Sequence, residues 1–196
     1  MPGADVELSE PRLSDAEEFV ASAEASRVLH QPYIEAPDSV ERFATYLKRS
    51  RRDDQVAYLV RHRACGGLVG FVNLNNIVRG ALQSASLGYA AFDGHAGRGL
   101  MRQAVALVVE RAFGPHRLHR LEANIQPANL RSIALVRSLG FEIEGYSPRY
   151  LYIAGEWRDH ERFALLTERW EVPPGFAQAG QEAVNLSRPP APGTGC

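Results

Sequence analysis

Two short stretches carry residue types suited to chemistry. The first is Gly97-Arg98-Gly99-Leu100-Met101-Arg102, between an apolar run ending at Phe92 and another beginning at Leu100. Glycine lets the backbone approach a ligand closely and adopt conformations closed to other residues. The first amides of a helix have no partner within it, and the helix dipole adds partial positive charge there. A glycine turn leading into a helix therefore suits an anion such as a phosphate. A nucleotide-binding P-loop needs Lys and Ser or Thr after the last glycine, where Leu100 and Met101 stand. A dinucleotide fingerprint needs a third glycine where Arg102 stands. A tight strand-to-helix turn that binds nothing is the other reading. The second stretch, Asn129-Leu130-Arg131-Ser132, opens a helix that ends in Leu139-Gly140-Phe141. Asn129 and Ser132 lie three apart and share one helix face. Asn is among the best N-caps, and capping is compatible with ligand contact.

Both loops need a strand before them and a helix after them. Val56, Tyr58 and Val60 alternate with Ala57, Leu59 and Arg61, Gly66-Gly67 turns the chain, and Leu68–Leu74 returns. After Arg79-Gly80 comes Ala85–Phe92, so three strands form an antiparallel meander. Residues 93–99 are the loop, and Leu100–Phe113 is a strongly apolar helix. Leu118–Ile125 reads as a strand and Asn129–Leu139 as a helix closed by Gly140. Phe141–Tyr146, Arg149–Ala154 and, after the turn at Gly155-Glu156, Trp157–Thr167 read as strands. The N-terminal third reads as helical. Ser14 is its candidate N-cap with Glu17 as capping-box partner, and Ala16, Phe19, Val20 and Ala23 fall at helical spacing. A second helix starts after Pro37, capped by Asp38 or Ser39, with Val40, Phe43, Ala44 and Leu47 inward. The basic run Lys48–Arg52 is read as a solvated helix end, the alternative being a substrate or RNA contact. The order is a mixed α/β pattern without regular alternation, which argues against a doubly wound dinucleotide fold. One domain is expected over residues 1–171, followed by a Pro/Gly/Ala-rich tail over 172–196 with no hydrophobic period.

Composition narrows the classes further. The 196 residues carry 22 Lys+Arg against 23 Asp+Glu, a formal net charge of −1. A general nucleic-acid binder usually has a strong basic excess, so no nucleic-acid partner is expected. No apolar run reaches the ~18 residues of a membrane-spanning helix, and the start lacks the basic and apolar regions of a secretory signal. Cys65 and Cys196 lie far apart and no Cys/His cluster has zinc spacing. A cytoplasmic, metal-free protein is expected.

Six segments together carry a family resemblance. They are Leu87-Gly88-Tyr89, Gly97–Met101, Leu121-Glu122-Ala123, Asn129–Ser132, Leu139–Gly145 and Gly155–His160. In this order and spacing they resemble the GNAT acyl-CoA-dependent N-acyltransferases, and within them the RimJ/RimL type, the ribosomal-protein N-terminal acetyltransferases and their relatives. The resemblance covers about residues 5–170. The superfamily loop, Gln/Arg-x-x-Gly-x-Gly/Ala, aligns with Ala96–Met101. Ala96 and Met101 depart from it, while Gly97 and Gly99 are kept.

The resemblance implies a mostly antiparallel sheet splayed into a V that receives acetyl-CoA as co-substrate. The pantetheine arm would pair with Tyr89, Ala90, Ala91 and Phe92, and the pyrophosphate would sit on the amides of Gly97, Arg98, Gly99, Leu100 and Met101. Arg98 or Arg102 could add charge there or face solvent. Asn129 and Ser132 would contact the cofactor. A tyrosine that often protonates the leaving thiolate is replaced by Val136, and Ser132 is the alternative. A backbone amide near Ala91 or Phe92 would polarise the thioester carbonyl. Tyr89, Tyr146 and Tyr150 are possible pocket residues, and His95 falls near the phosphates. Trp157 and Asp159 belong to a hairpin that closes the sheet.

The implied reaction is direct transfer to a primary amine, with no acyl-enzyme. An α-amino group with a pKa near 8 is partly neutral at pH 7, whereas lysine, near 10.4, needs more help. Glu122, on an otherwise apolar strand, is the candidate general base, the alternative being an ion pair with Arg120 or Arg149. Cys65 lies by the Gly66-Gly67 turn, away from the loop. A protein N-terminus is the first acceptor. A small amine such as an aminoglycoside, polyamine or amino acid is the second, and a non-catalytic acyl-CoA-binding module is a further alternative. The tail is a candidate for covering the acceptor site or for pairing two chains into a homodimer.

Overall fold

A computed structural model of the chain describes residues 4–173. From residue 174 onward, the expected tail lies outside the described residues. Seven strands form one sheet: β1 (Val6–Ser9), β2 (Val56–His62), β3 (Leu68–Val78), β4 (Ser84–Ala91), β5 (Arg120–Ile125), β6 (Glu142–Ile153) and β7 (Glu156–Leu166). Their order is β1-β2-β3-β4-β5-β7-β6. Every neighbouring pair is antiparallel except β4 and β5. The helices are α1 (Ala16–Ala25), the single turn α2 (Arg27–His30), α3 (Val40–Arg49), α4 (Leu100–Phe113) and α5 (Leu130–Arg137).

Strand alternation sends side chains into two separate cores. Tyr58 and Val60 of β2 join α4 and α5 residues such as Val105, Val109 and Val136 on one face. Leu59, between them, joins Phe19 of α1, Phe43 of α3 and Phe71 of β3 on the other. The Phe19 ring contacts Phe43, Phe71 and Phe92 at centroid distances of 4.8, 5.4 and 5.2 Å. Helix α4 is apolar nearly all round because it fills the space between β1, β3, β4 and β5. No described helix is long and apolar enough to cross a membrane.

Four details differ from the sequence reading. Strand β1 is absent from it: four residues at a sheet edge, only Val6 fully buried, make too short a pattern to register. The first helix is prepared by a 3₁₀ turn, Leu13–Asp15, and Asp15 rather than Ser14 holds it, its carboxylate accepting from Arg12 N–H at 2.7 Å. In α3, Phe43 and Leu47 face inward and Ser39 caps as expected, but Val40 and Ala44 are exposed. The two strands expected over 141–154 are one strand, β6, with register shifts beside Gly145 and between Ser147 and Leu151. Pro148 fits because β6 is an edge strand. Arg149 takes the left-handed φ of 49° there, and its N–H donates to Asp159 Oδ1 at 2.7 Å.

Candidate active site

The parallel pairing of β4 with β5 runs through Ser84–Arg120, Ala85–Leu121 and Ser86–Glu122 and ends there. Beyond Ser86, β4 stays on β3 as far as Ala91, while β5 follows β7 as far as Ile125. The two strands part, and a cleft of about 1600 Å³ passes through the gap. The cleft reaches the glycine loop at Gly97 and Gly99, α5 at Asn129 and Ser132, and the β6–β7 hairpin at Tyr150 and His160.

Inside the fork, β4 has a free edge. Phe92 N–H donates to Val69 C=O of β3 at 2.7 Å. Backbone groups alternate along a strand, so those of Ala91 and Tyr89 point away from β3 and into the gap. Ala91 C=O is taken there by His30, whose Nε2 stands at 2.8 Å. A carbonyl only accepts, so Nε2 carries the proton, and burial holds the pKa of this ring below the usual histidine value. The amide of Ala91 faces the gap. That of Phe92 does not: it is spent on the β3 ladder, and its side chain is buried under α1. Phe92 therefore shapes the strand from behind.

The loop is built as a cradle. Gly94, Gly97 and Gly99 have φ of 79°, 76° and 76°, in the left-handed region. A Cβ on Gly97 or Gly99 would meet nothing within 4 Å, so the space before α4 is open. The first bond of the helix runs from Gln103 N–H to Gly99 C=O. The amides of Leu100 and Met101 precede it and can serve an anion. The Leu100 side chain is in the core, and the Arg98 side chain is exposed and off the cleft wall. Met101 lines the cleft. Arg102 Nε donates to Ser138 Oγ at 3.1 Å, tying α4 to the end of α5.

On α5, Asn129 is the N-cap, its Oδ1 accepting from Ser132 N–H at 3.2 Å. The Ser132 hydroxyl faces β4, where Tyr89 OH lies 2.5 Å from its Oγ. Burial pushes the Tyr89 phenol up to about 12, partly opposed by its bond to Ser132. Val136, at the position where the superfamily often has tyrosine, is fully buried in the core. The hydroxyl absent from α5 is thus matched by one from β4.

Glu122 departs from its expected role as base. It lies opposite Ser86, at the last paired position, where the fork is still closed. It is not on the cleft wall. Its carboxylate accepts from Arg120 Nε at 2.9 Å, and Arg120 Nη1 also donates to Glu144 at 2.9 Å. Alternation along β5 puts Arg120 and Glu122 on one face, and the ion pair with Arg120 is the arrangement realised. Arg120 holds the Glu144 carboxyl below its ordinary value. A lowered carboxyl pKa adds stability above the unfolded value, about 4.3, and loses it as pH falls through the folded one. Glu144→Gln is therefore expected to lower the melting temperature slightly at pH 6, the deficit closing on acidification below pH ~4. A deficit unchanged by acidification would refute this.

Of the other expected site residues, Tyr89, Ala90, Ala91, Gly97, Gly99, Met101, Asn129 and Ser132 come together on the cleft wall, as does Tyr150. Tyr146 is exposed and donates its hydroxyl to Asp159. Cys65 is exposed and is not among the residues lining the cleft. Two buried cleft histidines, His30 and His160, had no assigned role in the sequence. His30 carries no local signal, since its partner lies 61 residues away. His160 closes one of the six family-like segments.

This geometry agrees with comparisons to known proteins. The acetyltransferase (GNAT) domain model matches residues 5–142. The probable N-acetyltransferase YjcK of Bacillus subtilis is 34% identical, the alignment covering 85% of this chain and 96% of YjcK. A [ribosomal protein uS5]-alanine N-acetyltransferase of Escherichia coli is 41% identical over 53% of each chain, so that alignment spans about half of either protein. Mycobacterium smegmatis RimJ, solved in complex with CoA-disulfide, superposes with a TM-score of 0.77 at 28% identity over 83% of this chain and 82% of RimJ. With the forked sheet, the glycine cradle and these matches in hand, the chain belongs to the GNAT acetyltransferase family and is an enzyme of that class.

Proposed function

We propose that this enzyme transfers the acetyl group of acetyl-CoA directly to a primary amine, most readily a protein N-terminal α-amine. The observation that carries the reading is the parting of β4 and β5 after Ser86–Glu122, beside a glycine cradle open to an anion. The edge left free at Tyr89 and at the Ala91 N–H suits a strand-like pantetheine arm, and the Gly99–Met101 amides suit its pyrophosphate. When bound, acetyl-CoA supplies a thioester whose carbonyl accepts the amine and whose sulfur leaves. The Ala91 N–H is the donor placed for the carbonyl oxygen. Ser132, backed by Tyr89, faces the sulfur. A phenol held at about 12 does not pass its proton outright to a thiolate, since an ordinary thiol has a pKa near 8.5. The pair instead donates a hydrogen bond to the sulfur as charge develops on it.

The charge of the wall supports an α-amine over a polyamine. Among the described lining residues Glu35 is the one carboxylate, whereas Arg42, Arg49, Arg102 and Arg131 are cationic. A polyamine would find few counter-charges there. A peptide end finds neutral hydrogen-bonding groups instead, among them Asn73, Asn75 and Gln126.

The test is mass spectrometry of acetyl transfer to peptides with free N-termini, to the same peptides blocked at the N-terminus but containing lysine, and to spermidine. Faster acetylation of the free α-amine is expected, and preference for spermidine or lysine would overturn the acceptor assignment. Ser132→Ala is expected to lower kcat about tenfold, the scale of one hydrogen bond to a charged group, with acetyl-CoA affinity held within about threefold. Unchanged kcat would remove Ser132 from the leaving-group site.

A further inference from the structure

With Glu122 closed into its ion pair, the cleft needs another group to take the acceptor's proton. We propose that His160 is the general base that deprotonates the acceptor ammonium. This rests on the acetyl-transfer reading above and adds to it the residue that makes the amine nucleophilic.

Position comes first. In β7, Glu161 pairs with Ile125 at the end of β5. His160 is one residue further, level with Gln126, at the lip of the gap, and it lines the cleft. Phe163 and Leu165 of β7 enter the core shared with α4 and α5. β7 alternates, so His160 faces the opposite side of the sheet. Ser132 reaches the same cleft from the α5 side. A carbonyl carbon held in the gap would then have the sulfur-facing hydroxyl on one side and the imidazole on the other. Attack and departure require that separation.

Hydrogen bonding sets the tautomer. His160 Nδ1 lies 2.9 Å from Arg158 C=O. The carbonyl only accepts, so Nδ1 carries the hydrogen and Nε2 keeps its lone pair. The ring is 2% exposed and stands edge-on to Tyr150, with centroids 5.8 Å apart. Burial lowers its pKa, opposed by the Arg158 carbonyl and by Asp159, so it is neutral and able to accept at pH 7. The charge next to it, Asp159, is itself engaged by the Tyr146 hydroxyl and the Arg149 amide. Tyr150, on β6, is the titratable group facing the ring from the neighbouring strand. The other cleft histidines are placed differently: His30 spends Nε2–H on Ala91, and His95 lies in the glycine loop.

The protons balance. The ammonium gives one proton to His160 Nε2, which passes it to solvent. The freed nitrogen pair bonds to the carbonyl carbon. As the carbon–sulfur bond breaks, the nitrogen loses a second proton, which ends on the sulfur. One hydrogen remains on the amide.

His160→Asn tests the assignment, because an asparagine amide can replace the bond to Arg158 C=O but offers no base. With an N-terminal peptide as acceptor, kcat at pH 7 is expected to fall about 100-fold, the lower end for general-base loss. Acetyl-CoA affinity by calorimetry should hold, and the deficit should narrow above pH 8, where the amine is already neutral. A kcat within threefold of the parent at every pH would overturn the proposal. Should the variant melt early or lose acetyl-CoA affinity, the unmodified protein decides. NMR titration of its labelled His160 ring in the CoA complex should give a value below the ordinary 6.5 that coincides with the acid limb of kcat. A mismatch of more than about one pH unit overturns the assignment. An unmodified protein that acetylates no amine removes the transfer reading and this inference together. An active one indifferent to His160 removes this inference alone.

Discussion

Gly99→Trp is expected to weaken acetyl-CoA binding at least 100-fold in calorimetric titration while leaving the protein folded. Gly99 sits at φ 76° with open space where a Cβ would point, so a side chain there starts into open space rather than against a protein atom. It projects into the volume before α4 that the proposed function gives to the pyrophosphate. Each amide hydrogen bond to a charged group contributes about 1.5–3 kcal/mol, so excluding the phosphates from two amides costs about 3–6 kcal/mol, or a factor of about 10²–10⁴. The left-handed backbone adds about 1–2 kcal/mol of strain for any residue with a Cβ. Gly80→Trp separates the two effects. Gly80 has φ 69° and open space around it, but lies in the β3–β4 turn, off the cleft wall. It carries the same strain and should leave acetyl-CoA affinity unchanged. Equal loss in both variants would assign the Gly99 effect to folding. Undiminished binding in Gly99→Trp would move the pyrophosphate off the loop.

The parts of this site that were legible in the sequence are those whose cause is local. Glycines at 97 and 99 mark left-handed backbone, and the apolar run after them marks α4, which spans Leu100–Phe113 as read. Asn129 caps α5 through a hydrogen bond to a residue three positions away. What was not legible depends on pairing between distant segments. Tyr89 meets Ser132 across 43 residues of chain. Whether Ala91 or Phe92 offers its amide to the gap depends on which of them bonds to Val69. Glu122 looked available because its neighbours Leu121 and Ala123 are apolar. Its partner Arg120 was visible two residues away, but its place below the fork follows only from the β4–β5 register. His160 is the converse case: its family-like segment was visible, whereas its bond to Arg158 and its place beside the gap are products of β7 pairing.

Gly70→Ala is expected to cost the most stability of any single methyl added near the cleft. A Cβ on Gly70 would stand 2.2 Å from Ala90 C=O, 2.9 Å from Met101 Sδ and 3.1 Å from Ala91 Cα. The Met101 thioether can swing aside, but the Ala90 carbonyl is part of the β4 backbone and can move only with the strand. Substitution must therefore push β4 away from β3 or break the ladder between them. Overpacking of this kind costs about 1–3 kcal/mol, and more when backbone has to shift. For a chain of this size that corresponds to a fall in melting temperature of about 2–12 °C. Gly88 makes the contrast: a Cβ there meets only the Asn75 side-chain amide, at 3.0 Å, which can rotate. Gly88→Ala should therefore melt within about 3 °C of the parent. The damage at Gly70 should reach function as well. The Tyr89–Ala91 edge is held in place from behind by β3, so a displaced β4 misaligns the Ala91 amide and loosens the His30 bond to Ala91 C=O. Weaker acetyl-CoA binding by Gly70→Ala, measured well below its melting temperature, is the expected companion result. A variant that melts like the parent and binds as tightly would show that the close approach of β3 to β4 does not govern the free edge.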